Sequence, residues 1–242
     1  LELLKEKPGK VFVGGGFVRA CIANETVNDI DLFVGSKNDA WGMAHFLVAK
    51  LANKGARLHE TDNAFTIHGA GIPIQIIHRW TYTTPEQLMK SFDFTIAMAG
   101  FWWRSAETDG EVAQSVVHHV NRPAGWQSIC DDRFYEDLAA KRLRYTSPQR
   151  NEDAGGSLLR VLKFYQRGYR IPLDSLGAVV ARLQTGVITE ALHGAKGSTE
   201  EERLARVLTG LLHEVDPNID PEHIAHLPSA EESDEKASEK VS

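Results

Sequence analysis

The sequence predicts an α+β protein: a head with a mixed β-sheet flanked by helices, then an all-helical neck and body, then an acidic tail. Three observations carry this. From residue 8 to 125, short apolar runs bounded by glycine and turn residues alternate with segments of helical spacing. After Asp132 the apolar residues recur at helical spacing alone. Residues 216–242 contain aromatic-free stretches rich in Ser, Glu, Asp and Pro, which cannot bury enough apolar surface to fold alone. The expected boundaries are therefore 8–125 for the head, 126–215 for the helical part and 216–242 for a disordered tail.

The head elements follow in order. Lys10-Val11-Phe12-Val13 is a short strand stopped by Gly14-Gly15-Gly16, and Phe17–Ile22 begins a helix. Asp31–Val34 is a second strand. Trp41, Ala44, Leu47, Val48 and Leu51 mark a helix over 39–53, with Gly55 just beyond it. Ala56–Glu60, Ala64–His68 and Ile72–Arg79 read as strands. Thr84-Pro85-Glu86-Gln87 opens a helix with proline at its first position. Phe94–Trp103 is apolar and aromatic and is expected to be a strand. In the helical part, Phe134–Tyr145, Ser157–Gly168, Leu176–Leu183 and Ser198–His213 are expected helices, the last with a Ser198/Glu201 capping box.

Composition narrows the function classes. Of 242 residues, 42% are apolar and 25% charged, ordinary values for a globular protein. No apolar run approaches the ~18 residues of a membrane span, so no membrane partner is expected. Leu1–Lys7 is charged and is no signal peptide, and Cys21 and Cys130 make no disulfide framework, so a cytoplasmic setting is expected. The net charge of −6 conceals an uneven distribution. Residues 133–182 carry 10 Lys/Arg against 5 Asp/Glu, whereas 183–242 carry 5 against 13. An acidic tail thus masks a basic segment that suits a polyphosphate or RNA.

Val13–Val34 is the most informative segment. Its glycine turn lets the backbone approach a phosphate, and the following helix N-terminus favours an anion. Asp29 and Asp31 lie two apart, so on a strand they share a face. That spacing suits a Mg²⁺ ion bridged to phosphate oxygens. Phosphoryl-type transfer combines such an anion cradle with metal-binding carboxylates. Arg19 pairs either with a head carboxylate or with a nucleotide phosphate. The histidines, including the adjacent His118-His119, lack ligand companions at metal spacing and read as structural.

Gly15-Gly16-Phe17-Val18-Arg19 followed by Asp29-Ile30-Asp31 resembles the signature of the polymerase-beta-type nucleotidyltransferases. The likeness is to the branch holding bacterial CCA-adding enzymes and poly(A) polymerases. Phe92-Asp93-Phe94-Thr95-Ile96 is similar to that branch's Arg-Asp-Phe-Thr-Ile-Asn segment. Asp137-Leu138 with Arg142-Leu143-Arg144, and Leu159-Arg160 with Lys163-Phe164, are similar to its neck helices. The four motifs cover roughly residues 10–182.

The resemblance implies a nucleotidyltransferase head that moves a nucleotide from an NTP to a hydroxyl acceptor, first choice an RNA 3′ end such as that of a tRNA-like molecule. It implies Mg²⁺ on Asp29 and Asp31, and Asp93 completing the metal site or binding ribose. Gly15, Gly16, Arg19, Arg160 and Lys163 would bind the nucleotide. Several positions depart from the pattern: Ala20 for an Asp, Ser91-Phe92 for an Arg pair, Ala97 for Asn, and Ala154–Ser157 for the neck opening. The Glu-Asp-x-x-Arg segment that reads the incoming base has no counterpart after Arg170. CCA addition itself is therefore not expected. Gln75 stands on the strand where the superfamily often has a third carboxylate, and Gln cannot take a proton. His78, three residues along, would face the other side, so Asp93 is the next candidate base, ahead of a reaction without a protein base or an inactive protein. The rival reading is a non-catalytic nucleotide- or RNA-binding module, and a protein or small-molecule hydroxyl is the second-choice acceptor.

Overall fold

The computed structural model describes residues 1–7, 10–69, 71–105, 124–148, 154–184, 199 and 201–206. The expected tail over 216–242 and His118-His119 lie outside them. The chain divides into two compact units, residues 1–149 with 164–176, and residues 150–163 with 177–242.

The first unit holds one mixed sheet. Its strands are β1 (Val11–Gly14), β2 (Ile30–Val34), β3 (Arg57–Glu60), β4 (Ala64–His68), β5 (Ile74–Ile77), β6 (Ala99–Arg104) and β7 (Gly125–Cys130). Their spatial order is β3-β4-β5-β2-β1-β6-β7. Only β2 and β5 run parallel; every other pair is antiparallel. The sheet thus runs to Cys130, beyond residue 125.

Alternation along the strands gives the sheet two faces. Val11, Val13, Leu32, Val34, Phe65, Ile67 and Ile76 point to one face and form a buried core with α2 (Lys37–Leu51). That helix contributes Ala40, Met43, Ala44 and Leu47, the spacing of one helical stripe. Each such large apolar side chain, fully buried, contributes about 1.5–3 kcal/mol. Ser36 starts the helix by accepting the Asp39 N–H at 3.0 Å. On the opposite face Phe12 and Phe33 pack with Tyr82, Leu88, Met89 and Met98 under α3 (Pro85–Ser91). Thr84 caps α3 through the Gln87 N–H at 3.3 Å, with proline first in the helix as expected. α1 (Gly16–Ala23) links β1 to β2 and ends at Asn24 in the left-handed conformation.

Two expected elements differ. Phe94–Trp103 is not one strand: Phe94 bridges to Tyr145, Thr95–Ala97 is a 3₁₀ turn, and β6 starts at Ala99. The Thr95 hydroxyl donates to the buried Asp137 carboxylate at 2.7 Å, and the Thr95 N–H to the Arg144 carbonyl at 3.1 Å. These bonds draw residues 94–97 out of the ladder. Similarly, Phe134–Tyr145 is not one helix. α4 spans only Phe134–Ala139, and Lys141 turns at φ 48°. Leu143 N–H then bonds the Arg170 carbonyl, so the chain continues as an extended segment.

α5 (Ala154–Gln166) and α6 (Leu173–Gln184) agree with the helical reading. In the second unit a helical segment spans 201–206, and Thr199 accepts the Glu202 N–H at 3.2 Å. That cap lies one residue past the expected Ser198.

Candidate active site

The glycine turn joins β1 to α1. Gly15 has φ 70° and ψ −134°, a backbone conformation essentially confined to glycine. Its N–H donates to the Ala99 carbonyl at 3.2 Å. A Cβ on Gly15 would lie 3.3 Å from the Phe92 ring and 3.8 Å from Asp31 Oδ2. The Asp31 carboxylate therefore faces the turn, and Phe92 closes over it. Gly16 is the first residue of α1, so its N–H belongs to the unsatisfied helix end.

Asp29 sits just before β2, where the Ile30 N–H bonds the Pro73 carbonyl at 2.9 Å. Asp29 and Asp31 are both half-buried. Gln75 is in register with Asp31 on the neighbouring β5, and its Nε2 lies 3.5 Å from Asp29 Oδ2. The amide thus occupies the place beside the two carboxylates where an acid was sought. His78 is buried against the Phe65 ring, whose centroid is 4.7 Å away, and so points to the α2 face.

Asp93 lies beside the glycine turn's neighbour Phe92 in the chain. Among the described residues no three His, Cys, Asp or Glu side chains group as a metal site. Asp93 is buried, and its carbonyl accepts the Thr146 N–H at 2.9 Å. Thr146 Oγ1 also donates to the Phe92 carbonyl at 2.6 Å. Residues 92–93 are thereby pinned so that the Phe92 ring reaches the glycine turn.

Arg19 has a carboxylate partner. Its Nε lies 3.3 Å from Glu25 Oε2, and its guanidinium stacks 4.7 Å from the Phe164 ring centroid. Only 7% of the residue is exposed. Burial pushes its pKa down, against the raising influence of Glu25. The Nη atoms lie 3.7 and 3.8 Å from a Cβ built on Gly16, so the outer edge of the fork borders the turn. Glu25 also accepts the Tyr169 hydroxyl at 2.8 Å and lies 3.8 Å from Arg167 Nη1. Burial and that hydrogen bond raise the Tyr169 pKa well above its ordinary value. Sequence reasoning missed Glu25, Phe92 and Phe164. The available signal was Arg19 itself, a cation on an apolar helix that needs a counter-charge.

The other expected nucleotide ligands, Arg160 and Lys163, lie on α5 in the second unit. Much of the basic segment is spent internally. Arg142 Nη1 and Arg144 Nε meet the two oxygens of Asp137 at 3.3 and 3.2 Å, and Arg170 covers the Tyr165 ring at 4.6 Å.

A family model described as "Gad2: Gabija anti-defense 2 family protein" matches residues 2–141. No curated protein matches the chain. Among solved structures, the Thermotoga maritima CCA-adding enzyme complexed with tRNA is 21% identical, with a TM-score of 0.52 over 88% of this chain and 44% of that one. A CCA-adding enzyme complexed with ATP gives 21% and 0.54 over 88% and 44%. A tRNA-processing enzyme with CTP gives 16% and 0.52 over 87% and 56%. The chain spans about half the length of these proteins. At such identities the likeness is one of fold: the α+β fold is that of the nucleotidyltransferases. Among the described residues no helix is long and apolar enough to cross a membrane.

Proposed function

This chain belongs to the Gabija anti-defense 2 family, and from its nucleotidyltransferase fold we propose that it is a nucleotidyltransferase, moving a nucleotide from an NTP to a hydroxyl acceptor. The observation that carries the reading is the Asp31 carboxylate turned toward the positive-φ glycine turn. The first-choice acceptor is an RNA 3′ end; similar structures hold tRNA, ATP and CTP.

The glycine turn and the N-terminus of α1 supply N–H groups for the triphosphate. Arg19 adds the Nη edge beside Gly16, held in place by Glu25 and Phe164. Two carboxylates fit Mg²⁺, which binds through one or two carboxylates, substrate phosphates and water; Asp93 is the proposed third catalytic acid. Asp29 and Asp31 would hold it, and when bound it neutralises charge on the phosphate oxygens. The acceptor oxygen bonds the α-phosphorus, the bond to the bridging oxygen breaks, and pyrophosphate leaves. Gln75 orients the acceptor hydroxyl by hydrogen bonding, and the proton passes to solvent because an amide cannot take it. Phe92 excludes water from the turn. Arg160 and Lys163 are the proposed nucleotide-binding cations of α5.

Pyrophosphate release from each NTP in turn, with and without Mg²⁺, tests this reading. Release is expected from the wild type with Mg²⁺ and not from Asp29→Asn/Asp31→Asn. Normal release by the double variant removes these residues from the site.

Gln75 favours a second reading, nucleotide binding without transfer, because it puts an amide where a proton acceptor would stand. Under that reading the wild type binds NTP without releasing pyrophosphate, and Gln75→Glu gains release.

A further inference from the structure

The half of the sheet beyond β2 carries α2 on one face, and among the described residues its other face is covered only near Ala64 and Ile77. α2 packs on the Leu58, Phe65, Ile67, Ile74 and Ile76 side of β3, β4 and β5. The register defines the other face. Asp31 pairs with Gln75, Gln75 with Thr66, and Thr66 with His59. Two residues along each strand, His68 pairs with Arg57. Strand side chains alternate, so all six share the face that carries Asp31. Arg57, His59 and His68 are exposed, Asp31 and Gln75 are half-buried, and Thr66 between them is buried. Among the described residues no ion pair or hydrogen bond engages the side chains of Arg57, His59 and His68. Three strand spacings of ~4.8 Å put His59 about 14 Å from Asp31 along this row.

We propose that this face is the acceptor track. A single strand of RNA whose 3′ hydroxyl sits at Asp29 and Asp31 passes Gln75 and lays its upstream phosphates against the exposed Arg57, His59 and His68. The proposal rests on the nucleotidyl-transfer reading and names its acceptor site. Three observations favour it. The row is continuous with the carboxylates, so a strand needs no turn to span both ends. Its chemistry is graded from two carboxylates, through the neutral Gln75 amide, to a guanidinium fork that matches phosphate and imidazoles that donate to it. The neck offers less: Arg142, Arg144 and Arg167 already face Asp137 and Glu25.

β3 is also an edge strand of the sheet, and charge on an edge strand blocks pairing with another chain. Either sign of charge serves that purpose, whereas only a cation binds phosphate. Arg57→Glu therefore separates the two roles, and exposure of the side chain keeps folding out of the result. The full chain would be titrated with a 5′-labelled single-stranded oligoribonucleotide at several salt concentrations, and separately with each NTP and Mg²⁺. Arg57→Glu, and Arg57→Ala with His59→Ala and His68→Ala, are expected to weaken RNA binding about tenfold or more at low salt. The log–log salt slope should become shallower by roughly 0.7 per lost phosphate contact. NTP binding should not change, and Arg57→Lys should retain most of the RNA affinity. RNA binding by Arg57→Glu equal to that of the wild type overturns the proposal and leaves edge protection. A wild type that binds NTP but no RNA overturns it while the nucleotide reading stands, with a protein or small-molecule acceptor next. A wild type that binds neither overturns both.

Discussion

The α4 region and the β3–β5 face both carry cations, and they use them in opposite ways. Asp137 is fully buried, and Arg142, Arg144 and the Thr95 hydroxyl all converge on its two oxygens. The charges there are turned inward and hold the chain after α4 against the 3₁₀ turn. On β3 and β4, the side chains of Arg57, His59 and His68 meet no such carboxylate among the described residues, and the acid in register on their face is the site's own Asp31. A count of basic residues therefore overstates the binding capacity of the 133–182 segment. A buried carboxylate must be paired, and it recruits whichever guanidinium groups can reach it.

The contrast can be broken most severely at the outward-facing pair. Asp29→Asn with Asp31→Asn should reduce pyrophosphate release by about 10³-fold, equivalent to ~4 kcal/mol of barrier, without lowering the melting temperature. Removing two like charges from one face relieves repulsion in the metal-free protein. Loss of folding in this variant would mean that these carboxylates also serve inward. The inward case should respond in reverse. Asp137→Asn leaves two guanidinium groups and a hydroxyl poorly matched, and should cost about 3 kcal/mol in urea unfolding. NTP affinity of the folded fraction should stay as it was.

Gly15→Ala should give a smaller loss, roughly 1–3 kcal/mol from the positive φ alone, with further strain against Phe92 at 3.3 Å. NTP affinity should fall with it, because the turn and the Asp31 carboxylate shift together; calorimetric titration against a thermal melt would show both. The smallest effect is expected from Arg142→Gln with Arg144→Gln. If these arginines are spent on Asp137, RNA affinity changes by less than about twofold and the salt slope stays put. A slope shallower by roughly 1.4, two contacts' worth, would return the RNA face to the neck.

The head was largely legible in the sequence because its signals are local. The glycine turn, the Thr84-Pro85 helix start and the stripe Ala40, Met43, Ala44, Leu47 each report geometry fixed by neighbours in the chain. The segments 94–97 and 140–145 were misread for one shared reason. Their apolar pattern suits a strand and a helix, but Asp137 draws Thr95, Arg142 and Arg144 into one cluster, from up to 42 residues away in sequence.

By itself the sequence determined that Asp31 lies on a strand with Asp29 two residues ahead of it, and that a glycine turn precedes a helix. Both follow from the two-residue strand period and the steric freedom of glycine, which need no distant partner. Tertiary structure decided that Asp31 faces Gly15, that Gln75 stands beside the pair, and that Glu25 and Phe164 fix Arg19. It also decided which cations remain open to an anion. Those outcomes depend on strand order and burial, and the electrostatics of a charge is set by what folding brings next to it.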